Sequence, residues 1–262
     1  SESIKNKSLI STGNANHLVY ALNKELGQNI GGISWGTEEV NALIEQRFIE
    51  SKATIMMLSH ESLVAVLRPL GFFCQHWRAK DFRVVIVFYL RDQISWLASD
   101  YQQHVRQMRS SRGIADHVAE RLPYVNYAPI CKRFEEMVGR ENLIVKVMSD
   151  ESMRSNMLFD CYANLGVDIP EFSTLNVVHS NVGLNHVAVQ VLASINSQKI
   201  NEADYQRIFK VLSNVSFGGK GTYLIPQSIR QYIFSTCLEW NKSLSQYLLT
   251  QSDVTALNDS MR

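Results

Sequence analysis

Residues 83–101 read RVVIVFYLRDQISWLASDY, and the class of the fold turns on how they are read. Val84 to Leu90 is a continuous apolar run of β-branched and aromatic residues, the composition of a strand buried on both faces of a parallel sheet. Asp92 has the chemistry of a helix N-cap, and Ile94, Trp96, Leu97 and Tyr101 recur behind it at helical spacing. Arg91 then stands at the strand's carboxyl end, where open α/β sheets bind ligands. Its forked cation suits a phosphate. Ser99 follows eight residues later, about two helical turns on, and can add a hydroxyl on the side of the helix start. A core strand, a solvent-facing arginine and a routine cap would give the same letters.

Working outward, two more apolar runs read as strands: Ala53 to Leu58 (ATIMML) and Asn142 to Val147 (NLIVKV). Helical periodicity separates and follows them. It runs from His17 to Leu26 before Gly27, from Thr37 as N-cap through Phe48, from Tyr127 to Val138 before Gly139, and from Met153 to Leu165 before Gly166. From Asn185 onward only helices are expected, over His186 to Ile195, Ala203 to Leu212 and Ser228 to Leu249. Strands alternating with helices imply βαβ units with right-handed crossovers. The expected fold is therefore α/β: a parallel β-sheet flanked by helices, with a helical C-terminal third, in one domain spanning residues 1–262. The lead-in SLISTG, Ser8 to Gly13, is too short to mark a strand, although its polar, Gly-containing end before a helix could offer N–H groups to a phosphate.

Composition narrows the function. At 262 residues and 45% hydrophobic content the chain can bury one sizeable core. A net charge of +1 gives no global attraction to nucleic acid or to an anionic membrane. Cys74, Cys131, Cys161 and Cys237 are scattered without CxxC spacing or adjacent His pairs, which argues against a structural zinc site and a dense disulfide scaffold and for reduced thiols in the cytoplasm. No apolar run approaches a membrane span, and no signal peptide is evident at the start.

Three further stretches carry chemistry. Ser59, His60, Glu61 and Ser62 follow the Ala53 to Leu58 run, where His60 and Glu61 are placed for proton transfer. The same residues serve equally as a Ser59 helix cap and a charged first turn. His104 to Arg112, HVRQMRSSR, is either a solvated helix end or a collector of an anionic acceptor. Phe217 to Tyr223, FGGKGTY, lets the backbone approach a ligand closely, with Lys220 as a point charge, or is a plain flexible turn.

The frame strand-Arg91-x7-Ser99-x-Tyr101 resembles the 3′-phosphate-binding segment of sulfotransferases, and several other stretches resemble the bacterial, often carbohydrate-modifying branch of that family. Leu58 to Ser62 (LSHES) is similar to its strand ending in Ser-Ser-Glu, and ENLIVKVMSDE to its third strand. Asn181 to Asn196 and Asn241 to Leu248 are similar to two of its helical segments. The likeness covers roughly Ser8 to Leu249, and only the Arg91 to Tyr101 frame is specific.

The resemblance implies a P-loop-like fold and transfer of a sulfuryl group from 3′-phosphoadenosine 5′-phosphosulfate (PAPS) to a carbohydrate-like hydroxyl, releasing adenosine 3′,5′-bisphosphate. It assigns Arg91 and Ser99 to the donor's 3′-phosphate, with Lys220 and Gly221 from a late loop; Gly219 replaces that loop's usual arginine. Glu61 is the implied general base and His60 the reserve. The family's 5′-phosphosulfate loop, a first strand followed by Lys-x-Gly-Thr, is not found. Either about 30 to 50 residues, the size of a strand-loop-helix unit, are missing from the start, or the fold persists without the chemistry, as a silent nucleotide-binding or interaction protein. A P-loop kinase is disfavoured by the lack of Gly-Lys-Ser/Thr, and a glycosyltransferase by the lack of Asp-x-Asp.

Overall fold

The computed structural model describes residues 9–14, 16–27, 36–148, 157–166, 184–214, 225–248 and 251–261. In chain order the elements are β1 (Leu9–Asn14), α1 (Asn16–Glu25), α2 (Thr37–Ser51), β2 (Ile55–Ser59), α3 (Leu67–Arg78), β3 (Ile86–Leu90), α4 (Gln93–Gln107), α5 (Ile114–Arg121), α6 (Tyr127–Val138), β4 (Leu143–Val147), α7 (Met157–Asn164), α8 (His186–Asn196), α9 (Glu202–Asn214), α10 (Gln227–Lys242) and α11 (Gln251–Asp259). Short 3₁₀ turns lie between several of them, including Glu61–Ala65 and Leu122–Val125.

Among the described residues the parallel β-sheet flanked by helices that the sequence predicted is not formed. These residues are mostly helical, and their strands make two separate two-stranded sheets, β1 with β2 and β3 with β4. The burial of the strands gives the physical reason. β3 keeps five residues of the apolar run, and all but Leu90 are only half-buried, whereas a strand covered on both faces buries every side chain. β2 is half-buried along its length with Ser59 exposed, and β4 alternates buried and half-buried residues, the period of a strand covered on one face. β-branched composition favours the extended backbone but does not set how many neighbours a strand acquires.

One strand was not expected. Leu9–Asn14 pairs in parallel with β2, Leu9 opposite Ile55 and Asn14 opposite Ser59, with the register shifting between Ser11 and Asn14. The connection passes through α1 and α2, as parallel pairing requires a crossover. A second detail differs at α2. Its N-cap is Gly36 rather than Thr37, because the Glu39 carboxylate reaches back to the Gly36 N–H.

The backbone divides into two compact units. The first comprises Ser1–Phe88, Pro129–Ile144 and Ser152–Leu175. Its core gathers Leu18 and Leu22 of α1, Val40 and Ile44 of α2, and Leu70, Phe73 and Trp77 of α3. Trp77 donates its ring N–H to Asn41 at 3.1 Å and meets Phe82 edge-on at 5.0 Å, which locks α3 to α2.

The second unit comprises Tyr89–Ala128, Val145–Glu151 and Asn176–Arg262. Its centre is α4, whose Ile94, Leu97, Ala98, Tyr101 and Val105 are buried at the three- and four-residue spacing of a covered helix face. Against α4 pack α5, α8 and α10, bringing Val118, Val189, Leu192 and Ile233 into the same core. No helix of the described residues is long and apolar enough to cross a membrane.

The thiols report this packing. Burial pushes Cys74 up to about 11 and Cys131 and Cys237 up to about 12, while Cys161 is half-buried. A thiol-specific disulfide reagent at pH 8 is expected to label Cys161 first in the native protein and the other three only on unfolding, because the reactive species is the thiolate. Rapid native labelling of all four would contradict the packing.

Candidate functional site

The corner between β3 and α4 is held at four consecutive residues. Leu90 C=O accepts the Met148 N–H at 2.7 Å. Arg91 C=O accepts the Tyr127 hydroxyl at 2.8 Å. Asp92 caps α4 as the sequence predicted, its carboxylate accepting the Ser95 N–H at 2.8 Å. Gln93, fully buried, donates its side-chain amide to Asn241 at 2.7 Å. Tyr127 is itself buried, and burial together with the nearby Asp92 carboxylate pushes its hydroxyl well above the ordinary tyrosine range, so it is a permanent donor here. The backbone of Arg91 is thereby fixed while its side chain is half-buried. Ser99, also half-buried, sits one turn beyond Ser95 on α4.

The residues proposed for proton transfer belong to the first unit, and Arg91 and Ser99 to the second. His60, half-buried, is the N-cap of the Glu61–Ala65 turn, its Nδ1 accepting the Ser62 N–H at 3.0 Å. The cap expected of Ser59 is thus supplied by its neighbour, and Ser59 ends β2. Glu61 is exposed in the first turn. Lys220 and Gly221, with the rest of the FGGKGTY loop, lie outside the described residues.

The basic stretch His104 to Arg112 is occupied by partners within the second unit. Arg109 pairs with Glu202 and lies over the Tyr205 ring at 3.9 Å, and Arg112 pairs with Glu120. Two of the three arginines offered for an anionic acceptor thus already face a carboxylate.

A cluster that sequence reasoning did not assemble lies on the helices beside that stretch. Asp100 and His104 stand one turn apart on α4, and His117 and Arg121 one turn apart on α5. Asp100 Oδ2 accepts Arg121 Nε–H at 2.9 Å and lies 3.0 Å from His117 Nε2. Its Oδ1 is 3.4 Å from Arg121 Nη2 and 3.6 Å from His104 Nδ1. His104 Nδ1 is also 2.9 Å from the Asp100 C=O. The two imidazoles meet edge-on at 4.9 Å, and the Tyr101 ring lies 5.2 Å from His117. His117 is only 3% exposed, so this is an interior arrangement. Burial opposes the charge on Asp100, but hydrogen bonds from His117 and Arg121 and the attraction of Arg121 and His104 outweigh it, holding the carboxyl below its ordinary range. Asp100, His104 and His117 each offer a ligand atom within 4.8 Å of the others, the one group among the described residues with metal-binding chemistry. The Asp-x3-His spacing on α4 was visible in the sequence; the approach of α5 was not.

Replacing Asp100 with Asn leaves the positive partners without their anion. Unfolding measured by denaturant at pH 7 is expected to show a loss of about 1.5–3 kcal/mol, the range for hydrogen bonds to a charged group. A carboxyl held below its unfolded value, ordinarily about 3.9, contributes stability that is complete above that value and lost as the pH falls through the folded one. The gap between the protein and its Asp100→Asn variant should therefore close as the pH falls below about 4. Comparison of the chain with protein-family models, with curated proteins and with solved structures gives no match, so the reading of both places rests on their own geometry and on the local resemblance.

Proposed function

We propose that the protein is a PAPS-dependent sulfotransferase acting on a hydroxyl of a carbohydrate-like acceptor, with the donor's 3′-phosphate at Arg91 and Ser99. One observation carries the reading. The only specific frame in the resemblance, strand-Arg-x7-Ser-x-Tyr, falls on a strand that ends at Leu90, a capped turn at Asp92 and a helix bearing Ser99 and Tyr101. An arginine on a braced backbone, next to the N-terminal end of a 15-residue helix, supports this reading, since such an end favours negative charge.

In this reading the acceptor oxygen forms a bond to sulfur while the bond from sulfur to the donor's 5′-phosphate oxygen breaks. The hydroxyl proton passes to Glu61, with His60 in reserve, and adenosine 3′,5′-bisphosphate leaves. Lys220 and Gly221 would close on the 3′-phosphate. Most of the rate would come from positioning and from stabilising charge on the departing phosphate.

A second reading, a nucleotide-binding protein without turnover, is favoured by the commitment of His60 Nδ1 to the Ser62 N–H and by the exposure of Glu61, since a general base works best where water is excluded.

Calorimetric titration with adenosine 3′,5′-bisphosphate, against 5′-AMP as control, tests the site. Binding that requires the 3′-phosphate, and that weakens by about 1.5–3 kcal/mol in Arg91→Ala, is expected. No binding to the folded protein would end both nucleotide readings.

Turnover separates the two readings. Under the enzyme reading Glu61→Gln abolishes sulfuryl transfer with donor binding nearly unchanged. Full activity in that variant would remove Glu61 from the mechanism.

A further inference from the structure

We propose that Asp100, His104 and His117 form a site for a divalent transition ion of the zinc or cobalt class, held in competition with the guanidinium of Arg121. The inference is independent of the sulfotransferase reading.

The donor set comes first. Two imidazoles and one carboxylate suit Zn²⁺ and Co²⁺ and do not suit Mg²⁺ or Ca²⁺, which take oxygen ligands. Around a tetrahedral ion with bonds of about 2.0–2.1 Å, neighbouring ligand atoms lie about 3.3 Å apart. His117 Nε2 lies 3.0 Å from Asp100 Oδ2, and the ligand atoms of the three residues all lie within 4.8 Å of one another, so small side-chain rotations, with His104 Nδ1 leaving the Asp100 C=O, bring them to that spacing. The ligands stand on two helices that pack on each other, and the Tyr101 and His104 rings flank His117, so little ordering remains to be done. Three protein ligands leave a coordination position open to water or to an exogenous group.

Arg121 is the element that sets the affinity. Without an ion it supplies the positive charge that the half-buried Asp100 needs, donating Nε–H to the same oxygen that faces His117. An ion and a guanidinium on one carboxylate repel each other. Arg121 does not depend on Asp100 alone, however, since its guanidinium lies 4.1 Å from the centre of the Tyr124 ring and 5.9 Å from that of Trp96. Those faces retain it by cation–π attraction when an ion takes the carboxylate. Binding is thus an exchange of cations, weaker than at a dedicated structural site.

The test is titration of the chelator-treated, desalted full chain with Co²⁺, followed by displacement with Zn²⁺. One equivalent should bind with visible d–d absorption and no thiolate-to-cobalt band, because the ligands are nitrogen and oxygen. His104→Gln, at the half-buried side of the cluster, should lose at least about tenfold in affinity, since outer-shell changes alone cost that much. Arg121→Gln should gain about tenfold or more, the least expected from removing a unit charge a few ångström from a divalent ion. These two positions are used because His117 is buried and its loss threatens the fold. Absence of d–d absorption, a thiolate band, unchanged affinity in His104→Gln, or no gain in Arg121→Gln would each overturn the proposal.

Discussion

The buried amide pair of Gln93 and Asn241 fixes where α4 begins, and the second unit is arranged around α4. Gln93 is fully buried, and leaving its amide without a partner would cost about 1–3 kcal/mol. Asn241 accepts its NH2 group and in turn donates to Asn258, so α10 and α11 are brought into register with the N-terminal end of α4 through one line of side-chain amides. Apolar packing alone tolerates sliding between helices. A buried hydrogen-bond chain does not, because a shift leaves each member unpaired. The Asp92 cap and the Tyr127 hydroxyl on Arg91 brace the same corner.

From that starting point α4 serves two places at once. Ser99 and Asp100 are consecutive, and a turn of about 100° per residue points them to different sides of the helix. Ser99 lies one turn beyond Ser95, whereas Asp100 turns to α5 and collects Arg121 and His117. The two places differ in composition: at the corner the Asp92 carboxylate caps the helix beside Arg91, and in the cluster the Asp100 carboxylate is surrounded by Arg121 and two imidazoles.

Much of the local structure was legible in the sequence. Asp92 reads as an N-cap because a short carboxylate before a periodic apolar run has little else to do, and it caps α4. Gly27 and Gly139 end their helices in the left-handed region that glycine reaches most easily. Where local chemistry had two solutions the reading was less sharp: Glu39 makes Gly36 the cap of α2, and the His60 ring takes the role expected of the Ser59 hydroxyl. β1 was missed because a six-residue strand with Ser, Thr and Gly gains its order from β2, a partner more than forty residues away.

By itself the sequence determined the kinds of element and most of their positions, since periodicity, caps and stop residues act within a few neighbours along the chain. It also determined that Arg91 follows a strand and that Ser99 lies on the helix after it. Only the tertiary structure decided that the strands form two small pairs and not one helix-covered sheet, because strand pairing is a long-range choice that apolar composition does not encode. Only the tertiary structure, likewise, brought His117 and Arg121 to Asp100. Residues 17 and 21 positions apart meet there through the packing of α5 on α4, and a charge finds its partner in space and not in sequence.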